Sequence, residues 1–205
     1  MTTEEYLQSP ETVLPRELAH GELRVADSPS VSHQRVVLEL MLELVPFVRQ
    51  KQIGEVLIAP MDVILDFDNA LVVQPDLLFV SNERRHIIGD RIYGAPDLVI
   101  EVVSPNTRIG RLEEHVGWFA RYGVSECWLV NTDQRSIAVL SLANRLRPEQ
   151  GEESPSESER GWGPASIENA GVSARTLYKG AQQVASNVLK ELRLTPLQIF
   201  GYDRS

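Results

Sequence analysis

A nearly continuous apolar run, APDLVIEVVSP at positions 95–105, constrains the fold of this chain more than any other segment. Runs of β-branched and aliphatic residues without polar alternation are typical of strands that are covered on both faces. The run therefore predicts a central strand of a sheet. Its inner stretch, LVIEVV, is interrupted by one carboxylate, Glu101. An ionised carboxylate in an apolar interior is costly unless a cation, a metal ion or hydrogen-bond donors lie beside it, so Glu101 needs such a partner.

The other segments alternate between strand-like and helix-like patterns. Apolar residues recur at helical spacing after Ser32, which predicts a helix capped by that residue and kinked or ended at Pro46. A second helix is predicted from about Arg108 to Tyr122, and Gly123 is placed to end it. Strands are predicted elsewhere: a pair turning at His20-Gly21, hairpin-like strands in VLIAPMDVIL and ALVVQPDLLFV, an antiparallel pair in ECWLVN and SIAVLSL, and a returning strand in VSARTLYKG. This order predicts a mixed α/β fold, a mostly antiparallel sheet flanked by helices.

The length and charge of the chain limit what it can be. Its 205 residues suit one domain, predicted over residues 1–205, and the acidic segment 145–170 is predicted to be a mobile surface loop within it. A net charge of −9 argues against a broad basic surface that binds nucleic acid through many phosphates. We expect a cytoplasmic protein without a membrane segment, because there is neither a secretory signal nor a run of ~18 apolar residues. The lone Cys127 is interpreted as a buried structural residue.

A second acid, Asp76, interrupts another apolar strand, VVQPDLLFV. Asp97 and Glu101 share a face of the central strand, but their Cα atoms are about 13 Å apart, too far to share one ion comfortably. Asp76 on a neighbouring strand is the better partner for Glu101. Two such carboxylates and a backbone carbonyl supply the hard oxygen ligands that Mg²⁺ or Mn²⁺ prefers, and such an ion activates water at a phosphodiester. Structural hydrogen bonding is the alternative for this pair, and a strand-entry turn is the favoured interpretation of Asp97.

The second predicted helix carries Arg108, Arg111 and His115 at i, i+3 and i+7, which places them along one face. If this face lies over the two carboxylates, its side chains could hold a phosphate or orient the attacking water. The alternative is a solvated face paired with Glu113 and Glu114. The other histidines show no ligand spacing and are interpreted as structural or surface residues: His20, His33 and His86. Of these, His33 is set apart by its position near the start of the first predicted helix, and its role is left open.

The most specific motif is GAPDLVIEVVSPNTR, followed by a helix and then YGV-x-x-x-WLV. Four other segments accompany it: EEYLQSPE, GELRVADSPSVSHQ, APMDVIL and VVQPDLLFV. From about Thr3 to the Leu197–Phe200 region, the chain resembles the Uma-type restriction endonucleases, a family within the PD-(D/E)XK nuclease superfamily. The resemblance implies a sheet flanked by helices, a divalent metal site on two central strands, cleavage of phosphodiester bonds in DNA, and a homodimer.

Carried over by position, the resemblance makes Asp76 the first acid, Glu101 the second, and the carbonyl of Val102 a candidate third ligand. Superfamily members often have a lysine two residues after the second acid, whereas in the Uma-type family it stands on the following helix. His115 occupies that helical position here. Arg111 likewise stands where an acidic residue is usual. A further departure is Asn131, in place of the aspartate common after Trp-Leu-Val.

These departures leave two hypotheses of different classes. The leading one is a metal-dependent DNA endonuclease that contacts DNA locally, in which Asp76 and Glu101 bind Mg²⁺ or Mn²⁺ and His115, with Arg111, replaces the lysine. Histidine titrates near pH 6.5 and is shorter than lysine, so neighbouring carboxylates or Arg111 would have to restore the cation. The alternative is a catalytically degenerate nuclease-fold protein that acts as an oligomeric binding or regulatory module.

Overall fold

The computed structural model describes residues 1–10, 14–25, 28–103, 109–143 and 171–201, without the side chains of residues 109–111. Arg108, the side chain of Arg111 and the predicted loop at 145–170 lie outside the described residues, and the assignment to one domain stays a prediction. In chain order the helices and strands are α1 (Thr3–Leu7), β1 (Arg16–Ala19), β2 (Glu22–Val25), α2 (Val31–Lys51), β3 (Gly54–Ile58), β4 (Val63–Asp66), β5 (Leu71–Val73), β6 (Leu77–Ser81), a 3-10 helix (Asn82–Ile87), β7 (Ile92–Tyr93), β8 (Leu98–Val103), α3 (Ile109–Tyr122), β9 (Glu126–Asn131), β10 (Ser136–Leu142), β11 (Val172–Lys179) and α4 (Pro196–Phe200).

The strands form two sheets. The larger has six strands in the order β11-β10-β9-β8-β6-β3, and the smaller has five in the order β2-β1-β5-β4-β7. Most pairings are antiparallel, and the parallel ones join β8 to β9 and β4 to β7. The predicted mixed α/β class is confirmed, and so is the central position of β8, which pairs with β6 on one side and β9 on the other.

Two prolines stand where the chain passes from one sheet to the other. The chain leaves β3 of the larger sheet through Pro60 and returns from β5 of the smaller sheet through Pro75. Proline lacks the amide hydrogen that would continue a strand ladder, so each sheet pairing stops there. The sequence pattern predicted one sheet because Pro60 and Pro75 each lie inside a run that was interpreted as a single strand, VLIAPMDVIL and ALVVQPDLLFV; the structure divides both runs at the proline. The β4–β5 hairpin forms as expected, whereas β3 and β6 pair with each other in the larger sheet.

Apolar layers cover both faces of the larger sheet. The layer between the two sheets also contacts α3, and the layer on the other face contacts α2 and α4. In β8, Val99 belongs to the first layer, whereas Leu98, Ile100 and Val102 belong to the second. Burial on both faces explains why this strand contains almost no polar residue. Alternation places Glu101 on the Val99 face, toward the smaller sheet and α3.

The helix α2 departs from its prediction at two points. Ser30, not Ser32, is its N-cap, because the side chain of Ser30 accepts the backbone N–H of the third helical residue. The helix also continues through Pro46 to Lys51. Pro46 and Leu42, four residues earlier, both lie on the exposed face, so water can satisfy the carbonyl that proline leaves without its helical donor.

Candidate active site

The register of β6 against β8 brings the two predicted acids together. Leu77 pairs with Ile100, and continuing this antiparallel register sets Asp76 opposite Glu101. The backbone N–H of Val102 donates to Asp76 Oδ2 at 2.7 Å. This hydrogen bond holds the Asp76 carboxylate at the edge of β8, next to Glu101.

Asp97 lies at the opposite end of β8 and takes no part in this cluster. Its carboxylate accepts the backbone N–H of Ser81 at 2.7 Å and lies 3.9 Å from a guanidinium nitrogen of Arg84. Both contacts fasten the strand entry, which agrees with the structural interpretation of Asp97.

His115 reaches the cluster from α3 and lies between two carboxylates. Its Nδ1 is 3.4 Å from Glu101 Oε1, and its Nε2 is 3.0 Å from Glu17 Oε2. The imidazole also contacts the Trp118 ring, with 5.3 Å between the ring centroids. Burial by itself would lower the pKa of His115, but the charge of Glu17 and the hydrogen bonds to Glu101 and Glu17 outweigh it and raise the pKa to about 10. His115 is therefore a cation at neutral pH, as a lysine would be.

Glu17 is a site residue that sequence reasoning missed. It lies in β1 of the smaller sheet, beside the fully buried Leu18, and its Oε1 accepts the backbone N–H of Gln74 at 3.2 Å. The signal that singled out Asp76 and Glu101, a carboxylate within a strand, was present here too. What the pattern could not supply is the packing of the second sheet against α3, which carries Glu17 to His115.

His33 was also missed, because it was interpreted as a structural or surface residue. It lies in the first turn of α2, and its Nε2 is 3.1 Å from both carboxylate oxygens of Asp76. Burial lowers the pKa of His33, whereas the hydrogen bond and charge of Asp76 raise it, and the net direction is upward. Its Nδ1 is buried and has no hydrogen-bond partner in the part of the chain that the structure describes. No spacing in the sequence signals this contact, which arises only when α2 packs on the larger sheet.

The five side chains form a largely enclosed charged cluster. Each is only 12–20 % exposed: Glu17, His33, Asp76, Glu101 and His115. Burial raises the pKa of Glu101 to about 7, and contact with His115 offsets this only in part. The cluster therefore contains three carboxyl groups and two imidazoles, in an interior where a buried charge has a large desolvation cost. A further cation would stabilise Glu101 in its ionised form.

The residues present suit an ion that needs few protein ligands. Across residues 1–10, 14–25, 28–103, 109–143 and 171–201, no three His, Cys, Asp or Glu side chains are arranged to ligate one metal ion. Mg²⁺ usually keeps several waters and is bound through one or two carboxylates plus substrate phosphates, so it requires no such cage. Asp76, directly before β6, and Glu101, in β8, are hard oxygen donors that fit that requirement. The contact of Val102 is through its N–H, and its carbonyl stays a predicted ligand.

One family model matches residues 3–163, which is most of the chain, and that family, Uma2, is described as "Putative restriction endonuclease". The chain belongs to the Uma2 family. The expected resemblance is thereby confirmed. No curated protein matches the chain.

Among solved structures, this Uma2 chain is similar to a "putative nuclease belonging to DUF820" from Anabaena variabilis ATCC 29413. The two share 18 % sequence identity at a TM-score of 0.73, and the match covers 98 % of each chain. At this identity the likeness establishes the fold and not the activity. No helix in the described part of the chain is long and apolar enough to cross a membrane.

Proposed function

We propose that this Uma2 protein is a metal-dependent endonuclease that hydrolyses phosphodiester bonds in DNA. The observation that carries the proposal is the pair Asp76 and Glu101, which the register of β6 against β8 sets opposite each other, with the Asp76 carboxylate held by the Val102 amide. Family membership supports the same reaction class. The substrate, the metal dependence and the homodimer that the resemblance implies are parts of this proposal.

In this proposal each residue of the cluster has a distinct task. Asp76 and Glu101 would hold Mg²⁺ or Mn²⁺, which when bound activates water and neutralises charge building on the phosphodiester. His33 and the Val102 amide fix the orientation of the Asp76 carboxylate. His115 contributes a positive charge beside Glu101 that favours an anionic transition state.

The overall charge limits how the protein would contact DNA. A chain with a net charge of −9 repels a polyanion at long range, so attraction has to come from the bound ion and from nearby cations. We expect weak binding to duplex DNA with a shallow salt dependence, because few phosphates are contacted; fluorescence anisotropy at a series of salt concentrations measures both.

Cleavage of supercoiled plasmid DNA in the presence of Mn²⁺ tests the proposal. The wild-type protein should nick or linearise the plasmid, whereas Asp76→Ala and Glu101→Gln should abolish cleavage, because each removes a proposed metal ligand. Asp68→Asn is the matched control, since Asp68 is an exposed acid on the β4–β5 turn. No cleavage by the wild type, or equal cleavage by Asp76→Ala, would overturn the catalytic assignment.

The alternative is a catalytically silent binding module on the same fold. It is favoured by one observation, the histidine that stands at the lysine position and is already engaged by two carboxylates. Calorimetric Mn²⁺ titration beside a His115→Lys variant separates the two functions. A wild type that binds no Mn²⁺ and a variant that gains cleavage support the silent module, whereas vigorous cleavage by the wild type eliminates it.

A further inference from the structure

We propose that Glu17 is a positioning residue of this site, which holds the imidazole of His115 against Glu101. The inference rests on the proposed function, since it concerns how a histidine works where Uma-type enzymes have a lysine. A single ring lies between carboxylates from different sheets, with Nε2 3.0 Å from Glu17 and Nδ1 3.4 Å from Glu101.

Glu17 is itself held through both carboxylate oxygens. Oε2 accepts from His115, and Oε1 accepts the backbone N–H of Gln74 at 3.2 Å. The Gln74 side chain is fixed in turn, because its amide nitrogen donates to Asp62 at 2.8 Å and its oxygen accepts the backbone N–H of Arg16 at 3.4 Å. A carboxylate constrained in this way can impose an orientation on the ring that it contacts.

The β1–β2 hairpin that carries Glu17 is seated on α3 on both sides of His115. Arg24 of β2 forms a two-pronged ion pair with Glu114, with N–O distances of 2.6 and 3.4 Å. The Arg24 guanidinium also lies over the Trp118 ring, 5.9 Å from its centroid. Glu17 therefore meets His115 as part of a hairpin–helix contact and not as an isolated pair.

A histidine needs this second anchor more than a lysine does. The contact of His115 with Glu101 is 3.4 Å, at the long end of the hydrogen-bond range, so alone it would hold the ring weakly. A lysine ammonium has three donors on a flexible stem and can turn to its acceptors without a second carboxylate. The effect of removing Glu17 should therefore depend on which residue stands at position 115.

A double-mutant cycle of Glu17→Gln with His115→Lys measures that dependence. Glutamine replaces one of the two carboxylate oxygens with an NH₂ group, which cannot accept a hydrogen bond, so either Gln74 or His115 loses its acceptor. With His115 present, Glu17→Gln should lower kcat of plasmid cleavage about tenfold or more and leave KM within about twofold. In the His115→Lys background the loss should be under about threefold. An equal loss in both backgrounds, or no loss with His115, overturns the proposal.

Two further variants separate position from charge. Glu17→Asp keeps the charge but withdraws the carboxylate by one methylene, so it should lose kcat as Glu17→Gln does; full activity would overturn the proposal. Glu4→Gln is the matched control, because Glu4 is an exposed acid of α1, outside the contact between the hairpin and α3. It should leave kcat unchanged.

A spectroscopic measurement tests the inference about Glu17 independently of the nuclease proposal. In protein labelled with ¹⁵N-histidine, the Nε2–H signal of His115 should be protected from solvent exchange; it is assigned by its absence in His115→Lys. Glu17→Gln should abolish the Nε2–H signal in a protein whose circular dichroism is unchanged. An unchanged Nε2–H signal overturns the inference about Glu17, whether or not the wild type cleaves DNA. A lost signal together with no wild-type cleavage supports the inference about Glu17 and rejects only the nuclease proposal.

Discussion

The imidazole Nε2 of His33 lies 3.1 Å from both carboxylate oxygens of Asp76, although 43 positions separate the two residues. The contact joins the first turn of α2 to the residue that precedes β6. Because the Val102 amide holds the same carboxylate at 2.7 Å, Asp76 is fixed from two directions before any ligand arrives.

His33→Ala should therefore weaken Mn²⁺ binding and cleavage by roughly 10- to 100-fold, since loss of a group that orients a ligand typically has this effect. Calorimetric titration and plasmid cleavage measure the two quantities. His86→Ala, at an exposed histidine on the 3-10 helix, is the control and should behave as the wild type. A His33→Ala protein with unchanged Mn²⁺ affinity and cleavage would show that this contact does not orient Asp76.

The metal-free protein should become less stable as the pH rises from about 5 to 10. Burial raises the pKa of Glu101 from 4.5 to about 7, so the native state holds a proton that the unfolded state loses, and stability falls through this window. For His115 the carboxylates raise the pKa from 6.5 to about 10, so its stabilisation is complete below pH 6.5 and lost toward pH 10. Urea unfolding at a series of pH values measures both losses.

Glu101→Gln isolates the first of these two contributions. Without the titrating carboxylate, the decline between pH 4.5 and 7 should disappear, and at pH 8 the variant should be more stable than the metal-free wild type by about 1 kcal/mol or more. Lower stability of the variant at pH 8 would mean that the pair with His115 outweighs the burial of Glu101.

The sequence predicted the centre of this site well because simple rules govern it. Strands covered on both faces are apolar throughout, which identified β8, and the period of two along a strand placed Glu101 on one face of it. The same rule singled out Asp76, although the predicted strand around it was wrong: Asp76 lies directly before β6, where the chain returns from the smaller sheet. These inferences need only local pattern and strand pairing.

The outer residues of the site depend on packing between elements that are distant in sequence. Glu17 reaches His115 across 98 positions, from a hairpin in the second sheet. That sheet was not anticipated because the runs containing Pro60 and Pro75 were each interpreted as one strand. His33 reaches Asp76 only because α2 begins two residues earlier than predicted, with Ser30 and not Ser32 as its cap, and packs on the larger sheet. The spacing of apolar residues along the sequence does not show how one layer of the fold packs on another.

A buried acid outside the site, Glu126, should contribute to stability and not to activity. It is 1 % exposed and accepts three hydrogen bonds, from Trp128 Nε1 at 2.7 Å, Ser186 Oγ at 2.6 Å and the Asn187 amide at 2.8 Å. Glu126→Ala leaves these donors without their acceptor and should lower the free energy of unfolding by about 3 kcal/mol. Glu191→Ala, at an acid whose side chain is 73 % exposed, should change it by less than about 0.5 kcal/mol. Equal urea midpoints for the two variants would contradict this assignment.

Gly54→Ala should destabilise the β3 edge of the larger sheet. Gly54 pairs with Ser81 of β6, and a methyl group there would lie 2.2 Å from the carbonyl oxygen of Val80 and 2.7 Å from the Phe79 ring. A backbone carbonyl cannot move aside as the end of a flexible side chain can, so β3 has to move away from β6. We expect this shift to lower the free energy of unfolding by about 1–3 kcal/mol. Gly201→Ala is the matched control, because a methyl group there meets nothing within 4 Å and its φ is an ordinary −77°. Thermal unfolding should show a Tm several degrees lower for Gly54→Ala and nearly unchanged for Gly201→Ala. Equal Tm values would mean that β3 can shift against β6 at little cost. The pairing of β3 with β6, the strand that follows Asp76, would then be less rigid than the close contact at Gly54 indicates.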